Sequence, residues 1–315
     1  MDAEDVAQIA ESLRQALEAD PAKAAAALDE FGWRELLEDQ PHVAVSTLFA
    51  LTGELLTDGS QLDAVLLHAG GFGTGDVELR VVLPRPGTSD PAGRLDADGV
   101  LNIDGVAQRG TGPLLVAVSG AAGNVSFARC DVLEPLPGEP LDDTAGWVRI
   151  RTSAPYTDVD GAPDSWERMV AAGRRALAHE LIGVAGRMAS MTVEHVSDRV
   201  QFGQTLSRFQ AVKHQLADVH LWHEAAALSV EAAWEAGDAA SAALAKSAAL
   251  RFSRSARAVC QQLLGGMGFT WEHDFHRYLR RALTIEPLLG ATAALHVELG
   301  AALRAGAISD EFAAL

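Results

Sequence analysis

The chain has 315 residues, 48% hydrophobic and 22% charged, enough to bury a substantial core and to divide into two or three modest units. A formal net charge of −18 repels nucleic-acid phosphates and anionic membrane surfaces, so neither is an expected partner. Cys130 and Cys260 make no CxxC pair, no window nears about 18 uninterrupted apolar residues, and the start Met1-Asp-Ala-Glu-Asp-Val is acidic, so the reading is a soluble cytoplasmic protein without disulfide scaffold, membrane span or signal peptide.

Residues 1–67 read as a helical unit, with helices expected at Asp5 to Leu17, Pro21 to Leu28, Trp33 to Asp39 and Val43 to Leu56. The character changes around Ala69-Gly-Gly-Phe-Gly-Thr-Gly75. From there to Ser153, short β-branched runs such as Val77 to Leu83 and Leu115 to Ser119 alternate with Pro-Gly and Asp-Gly punctuation. That is the pattern of a small antiparallel barrel or sandwich, assigned to residues 68–153. A linker, 154–163, closes the β unit.

Asp164 with Glu167 three residues on has the form of a capping box. Ala/Leu-rich helices are then expected at about 165–199, 209–236, 239–265 and 276–304, with apolar residues recurring at three and four and short connections between them. Residues 164–315 therefore read as an antiparallel four-helix bundle. The fold class is α+β and multi-domain: a short N-terminal helical unit, a small middle β-barrel or sandwich, and a C-terminal bundle.

Four stretches of the bundle carry chemistry: Arg199-Val-Gln-Phe-Gly203, Phe209-Gln-Ala-Val-Lys-His-Gln-Leu-Ala-Asp218, Gln262-Leu-Leu-Gly-Gly-Met-Gly-Phe269 and Trp271-Glu-His-Asp-Phe-His-Arg-Tyr-Leu-Arg-Arg281. Together they resemble the carboxy-terminal domain of acyl-CoA dehydrogenases, flavoenzymes that remove hydrogens from the α and β carbons of a CoA thioester. The last stretch is similar to bacterial members acting in lipid and sterol side-chain breakdown. The resemblance is strong over 165–290, weak over the β unit and poor over the first 67 residues.

The resemblance implies FAD. An arginine fork binds phosphate oxygens in pairs, which suits Arg199 to the pyrophosphate. By the same resemblance Phe202 packs on the dinucleotide, Leu206 and Phe209 line its adenosine side, and Gln201 belongs to the same cofactor-binding set. Gln262 and Leu263 meet the ADP-ribose, with Gly265 and Gly266 allowing close backbone approach. In the family these residues reach across a dimer interface to a flavin held by the neighbouring subunit.

The catalytic base is a different matter. The family's commonest base position, before a Gly-Thr pair, falls on Leu289, and the alternative position on the first long helix falls on Gly173. Neither can abstract an α-proton. Glu286, three residues before Leu289, is a candidate displaced base or a helix-start carboxylate, and Glu180 a structural one. In the β unit, Val100 to Gly110 has lost the Trp-Ile-Thr-like motif that supplies donors to the flavin ring, and no Thr-Glu-…-Gly-Ser-Asp counterpart precedes it.

A grip presented to a neighbour, without a base of its own, implies a non-catalytic subunit of an α2β2 acyl-CoA dehydrogenase. The partner would be a second dehydrogenase subunit carrying the catalytic glutamate, sharing FAD, a bulky sterol-like acyl-CoA substrate and an electron-transfer acceptor. A flavin-free scaffold homodimer and a self-sufficient enzyme using Glu286 stand as alternatives. Elsewhere, Gly71 to Gly75 reads as a turn. His220/His223 and His273/His276, each one turn apart, lack the zincin pattern, so no metal is expected. Arg251, Arg254 and Arg257 form either a solvated stripe or an anion-facing one, and Trp222 and Trp234 read as core or interface.

Overall fold

A computed structural model describes residues 3–19, 24–58, 61–73, 79–131, 134–306 and 308. The N-terminal unit holds α1 (Ala3–Ala19), α2 (Ala24–Phe31), α3 (Trp33–Asp39), α4 (Pro41–Leu55) and α5 (Gln61–Gly70). Pro41 opens α4, where its missing N–H is harmless, so the helix starts earlier than Val43. No separate helix was expected at α5. Its buried residues run without interruption from Leu62 to Leu67, leaving no polar stripe to mark the helical period.

The middle unit contains β1 (Arg80–Pro84), β2 (Gly93–Leu95), β3 (Leu101–Gln108), β4 (Leu114–Ser119), β5 (Val125–Cys130), β6 (Trp147–Ala154) and β7 (Thr157–Val159). Val77 and Glu78, expected to begin the first strand, lie outside the described residues, as do Thr74 and Gly75 of the expected turn. Strand pairing runs β1 to β3, β3 to β2, β2 to β4 and β4 back to β1, which closes a small barrel. The barrel is not purely antiparallel. β1 and β2 flank β3 with the same direction, so β4, closing the gap between them, runs parallel to both. Residues 157–159, inside the expected linker, form β7 and pair with β5 through Phe127 and Val159.

The bundle is built from α6 (Ser165–Asp198), α7 (Gln210–Ala236), α8 (Ala239–Leu264), α9 (Phe275–Ile285) and α10 (Thr292–Arg304). Asp164 makes no side-chain cap to α6. Its backbone lies near φ −96° and ψ 0° rather than extended, and its carboxylate sits 3.6 Å from Arg168, so the expected capping box is absent. The α7–α8 corner does use its sequence signals: Gly237 turns the chain at φ 72°, and Asp238 Oδ1 accepts the Ser241 N–H at 2.7 Å. The expected fourth helix, 276–304, is instead broken between α9 and α10. Pro287 has no N–H to continue the helical ladder, and Leu289 and Gly290 adopt φ 54° and 109°.

α6 is the spine of the molecule. Gly53 of α4 and Gly183 of α6 let these helices cross at backbone contact: a Cβ on Gly53 would lie 2.8 Å from Val184 N, and one on Gly183 3.1 Å from Glu54 N. The hydrophobic core is continuous from Leu13 and Trp33 through α4, α5 and α6 to Leu295, while the barrel interior forms a second cluster around Val82, Ile103 and Val116. Arg281 of α9 joins the units. Its fully buried guanidinium donates to Asp142 Oδ2 at 2.6 Å, Glu180 Oε1 at 3.0 Å, Thr57 O at 2.8 Å and Thr144 Oγ1 at 3.0 Å. Glu180, expected to be structural, is one arm of this clamp.

Candidate functional site

The α9–α10 break faces the N-terminal half of α6. Leu289 is 1% exposed, and its side chain fills the space above Gly173. A Cβ on Gly173 would meet Leu289 Cδ1 and come within 2.9 Å of Leu66 Cδ2. Positions far apart in sequence therefore converge on one spot, and leucine side chains occupy it. Two cations fix the break. Arg174 Nε donates to Leu289 O at 3.1 Å while its other nitrogens grip Glu298 at 2.6 and 2.7 Å. Lys246 Nζ donates to Leu288 O and, at 2.8 Å, to Gly290 O. Burial, with Arg174 nearby, holds the Lys246 ammonium well below the usual lysine range. The loop after β1 docks on the same break, with Gly87 N donating to Pro287 O at 2.7 Å and Ala291 N to Gly87 O at 3.3 Å.

Glu286 is not on a helical face shared with Leu289, because α9 ends at Ile285. Its carboxylate is committed to α8, accepting from Ser253 Oγ at 2.9 Å and Arg257 Nη2 at 2.9 Å. The arginine stripe is likewise spoken for, since Arg251 stacks 4.5 Å from the Trp222 ring centroid and Arg254 donates to Thr292 Oγ1 at 3.3 Å. Trp234 donates to His179 Nε2 at 3.0 Å. Burial first, then the charges of His42 and Arg175, pushes the His179 pKa down to about 3. At the start of α9, His273 Nδ1 accepts from Phe275 N and His276 Nδ1 bonds to His273 O, so this pair closes a turn.

In the barrel, the turn after β3 folds onto Arg80, whose guanidinium donates to Gln108 O and Gly112 O, each at 2.7 Å. A polar cleft of about 880 Å³ opens elsewhere on this unit, beside Arg85, Arg94, Asn102 and Arg151. Asn102, Ile103 and Asp104, from the Val100 to Gly110 stretch that has lost the donor motif, line it, and none of the residues assigned to the dinucleotide grip does.

The other end of the bundle is open. α6 and α8 run parallel, since Arg174 and Lys246 reach the same break and Thr192 lies against Cys260 farther along. Their C-terminal ends are therefore neighbours. α6 stops at Arg199 and gives way to a hairpin of β8 (Val200–Gln201) and β9 (Gln204–Thr205), closed by Leu206 N donating to Arg199 O at 2.9 Å. Its central residues, Phe202 and Gly203, sit at φ 53° and 79°, the requirement of a tight two-residue hairpin turn. Phenylalanine there is strained, and strain of this kind marks functional positions. Phe202 is also 90% exposed, with Phe209 edge-on to it at 6.2 Å.

Across from the hairpin, Gln262 is exposed, Leu263 half-buried, and α8 ends in a short 3-10 turn at Gly265 to Phe269. A Cβ on Gly265 or Gly266 would meet nothing within 4 Å. Gly266 thus answers to no crowding within this chain, and the space above both is open to an incoming molecule. Arg199 is exposed and forms no ion pair among the described residues. One turn before Arg199, the His195 imidazole is held below its ordinary pKa by burial and by the charges of His273 and Arg199. Gln201 is exposed, and Leu206 and Phe209 are half-buried beside the hairpin. An exposed fork, an exposed aromatic tip and a bare glycine backbone fit the diphosphate and sugar of a dinucleotide. Sequence reasoning missed Lys246, Arg174 and Leu66. The one available signal was a lone lysine in the Ala-rich face of α8.

The sequence model of "Acyl-CoA dehydrogenase, C-terminal domain" matches residues 164–302. The chain is 44% identical over 106 residues to "Acyl-CoA dehydrogenase IpdE2" of Mycobacterium tuberculosis, covering 34% of this chain and 33% of that protein. The Mycolicibacterium smegmatis protein of the same name is 32% identical over 172 residues, 54% of this chain and 53% of its own length. The matched stretches thus span a third to about half of these curated relatives. Among solved structures, a "steroid ACAD" variant, Tcur3481-Tcur3483, superposes with a TM-score of 0.75 at 23% identity, covering 97% of this chain and 99% of that one. The ChsE4-ChsE5 complex from Mycobacterium tuberculosis gives 0.73 at 19% identity, covering 96% and 98%. These likenesses establish the fold over nearly the whole chain, and no described helix is long and apolar enough to cross a membrane. The chain thus has the acyl-CoA dehydrogenase fold over nearly its whole length, and its residues 164–302 match that family's C-terminal domain.

Proposed function

We propose that this chain is the non-catalytic subunit of a heteromeric, FAD-dependent acyl-CoA dehydrogenase, completing the FAD site of a partner subunit that carries the catalytic glutamate. One observation carries the reading. From Gly173 to Asp198 is 25 residues of continuous α6, or roughly 38 Å at 1.5 Å per residue. An open grip so far from a leucine-filled base position serves a flavin other than one lodged at this chain's own break.

Arg199 would hold the pyrophosphate, Gln201 and Phe202 would pack on the dinucleotide beside Leu206 and Phe209, and Gln262, Leu263, Gly265 and Gly266 would border the ADP-ribose. FAD supplies the two-electron oxidant when bound. The α-proton must leave to a carboxylate, and this chain offers Leu289 and Gly173 where one is needed. Glu286, held by Arg257 and Ser253, is poorly disposed to that task, which weighs against a self-sufficient enzyme. A strained, exposed Phe202 weighs against a flavin-free scaffold, where nothing would maintain it. Two of the structural neighbours carry paired names, one described as a complex and the other as a steroid acyl-CoA dehydrogenase. These names support a two-subunit enzyme with a bulky steroid-like acyl-CoA substrate. In our reading it is an α2β2 assembly that passes electrons to a separate acceptor in the cytoplasm.

The test is flavin absorbance and mass, for the chain alone and after co-expression with a full-length dehydrogenase encoded beside it. A colourless chain that becomes half a flavin per chain in a four-chain complex is expected. One FAD per chain when expressed alone would overturn the proposal. In the complex, Arg199→Ala should lower retained flavin at least tenfold, roughly the loss of one charge-assisted contact.

A further inference from the structure

We infer that His220, His223 and Glu224 of α7 form a binding site for a divalent transition metal of the zinc class. The inference is independent of the dinucleotide reading, because the site lies on the flank of the bundle, along α7 from the hairpin.

His220, His223 and Glu224 stand at i, i+3 and i+4 on α7, a spacing that sets them side by side on the helix surface. Glu224 Oε1 lies 3.3 Å from His223 Nδ1 and 3.8 Å from His220 Nδ1, and the three ligand atoms all fall within 4.8 Å of one another. Ligands at zinc's usual 2.0–2.1 Å, arranged tetrahedrally, stand about 3.3–3.5 Å apart, so small rotations about the side-chain bonds bring all three onto one ion. Two imidazoles and a carboxylate suit zinc, copper or nickel, whereas magnesium and calcium prefer all-oxygen shells. One and a half turns of a long helix carry all three ligands, so little backbone ordering is left to binding. The side chain of His220 is 72% exposed and open to an entering ion, and the ring of His223 rests 5.1 Å from Phe252, which limits its freedom.

The surroundings give the site an open side. A groove of about 750 Å³ runs between α4, α6 and α7, and His220 and His223 stand on its α7 wall. Gly186, Ser190 and Val193 form the facing wall on α6, and a Cβ on Gly186 would meet nothing within 4 Å. Three protein ligands leave a fourth coordination position, so a metal held here keeps room for water or for a donor atom of a molecule in the groove.

Zn²⁺ alone is the probe. The full chain, stripped with chelator and dialysed, is titrated calorimetrically. One zinc per chain is expected, with at least a tenfold weakening in each of His223→Gln and Glu224→Gln and no change in a His273→Gln/His276→Gln double variant. Co²⁺ substitution of the wild-type chain, which needs no variant, should show the intense visible bands of a tetrahedral site. Absence of zinc binding by the wild type, or retention of full affinity by both the His223 and Glu224 variants, would overturn the assignment.

Discussion

The two ends of α6 were made by opposite means. At the α9–α10 break the chain fills its own space: Leu66 and Leu289 pack on Gly173, and Lys246 and Arg174 take the carbonyls of 288–290. At the hairpin end, Arg199 has no ion pair among the described residues, Phe202 is exposed and strained, and Gly265 and Gly266 face open space. Where a chain spends stability rather than gaining it, an outside molecule is the economical explanation. The closed end shows the converse, a site whose residues satisfy one another and leave nothing for a ligand.

The contrast can be broken most forcefully at Arg281. Replacing it by Met leaves Glu180 buried without its counter-charge, and breaking a buried pair costs about 3–5 kcal/mol. Burial already pushes the Glu180 carboxyl upward against the pull of Arg281. Urea unfolding should register most of this loss, and a Glu180→Gln/Arg281→Met double variant should recover part of it. If Arg281→Met unfolds like the wild type, the clamp is not what joins the units.

The filled base position gives the next largest effect. Gly173→Ala should destabilise by about 1–3 kcal/mol through overpacking against Leu289 and Leu66. Leu289→Ala alone should lose about 2–5 kcal/mol to a cavity. Because the two side chains compete for one space, the double variant should be more stable than the sum of the singles predicts, by at least about 0.5 kcal/mol. Strict additivity in that cycle would mean that the positions do not touch.

A smaller effect concerns pH. His179, with its pKa held at about 3 in the folded state, is neutral there, while in the unfolded chain it takes a proton near the ordinary histidine value of about 6.5. The unfolded state therefore binds more protons between these values, and stability falls as pH drops through that window. His179→Gln, which keeps an acceptor for the Trp234 N–H, should flatten this part of the profile. An unchanged slope would assign the acid sensitivity to other groups. At the open end the expected change in stability is near zero: Arg199→Ala should melt like the wild type while releasing flavin from the complex.

The sequence by itself determined the helix, β and helix order of the chain, most helix positions within a few residues, and the residues that gather at the open end. Those features are local. They rest on apolar period, on turn residues such as Gly237-Asp238, and on short motifs whose members are near neighbours along the chain. It overextended the last helix, because the apolar period runs on through Glu286 to Ala291 and only Pro287 spoke against it. It passed over α5, whose uniform burial erases the period, and it could not foresee strands parallel to β4, which depend on where the barrel closes.

The tertiary structure alone decided that Gly173 and Leu289, more than a hundred residues apart, occupy a single place, and that a lysine from α8 and an arginine from α6 between them hold three successive carbonyls. Such convergence is set by how helices pack and by which side chains fill the space between them, a property of distances that no spacing along the chain encodes.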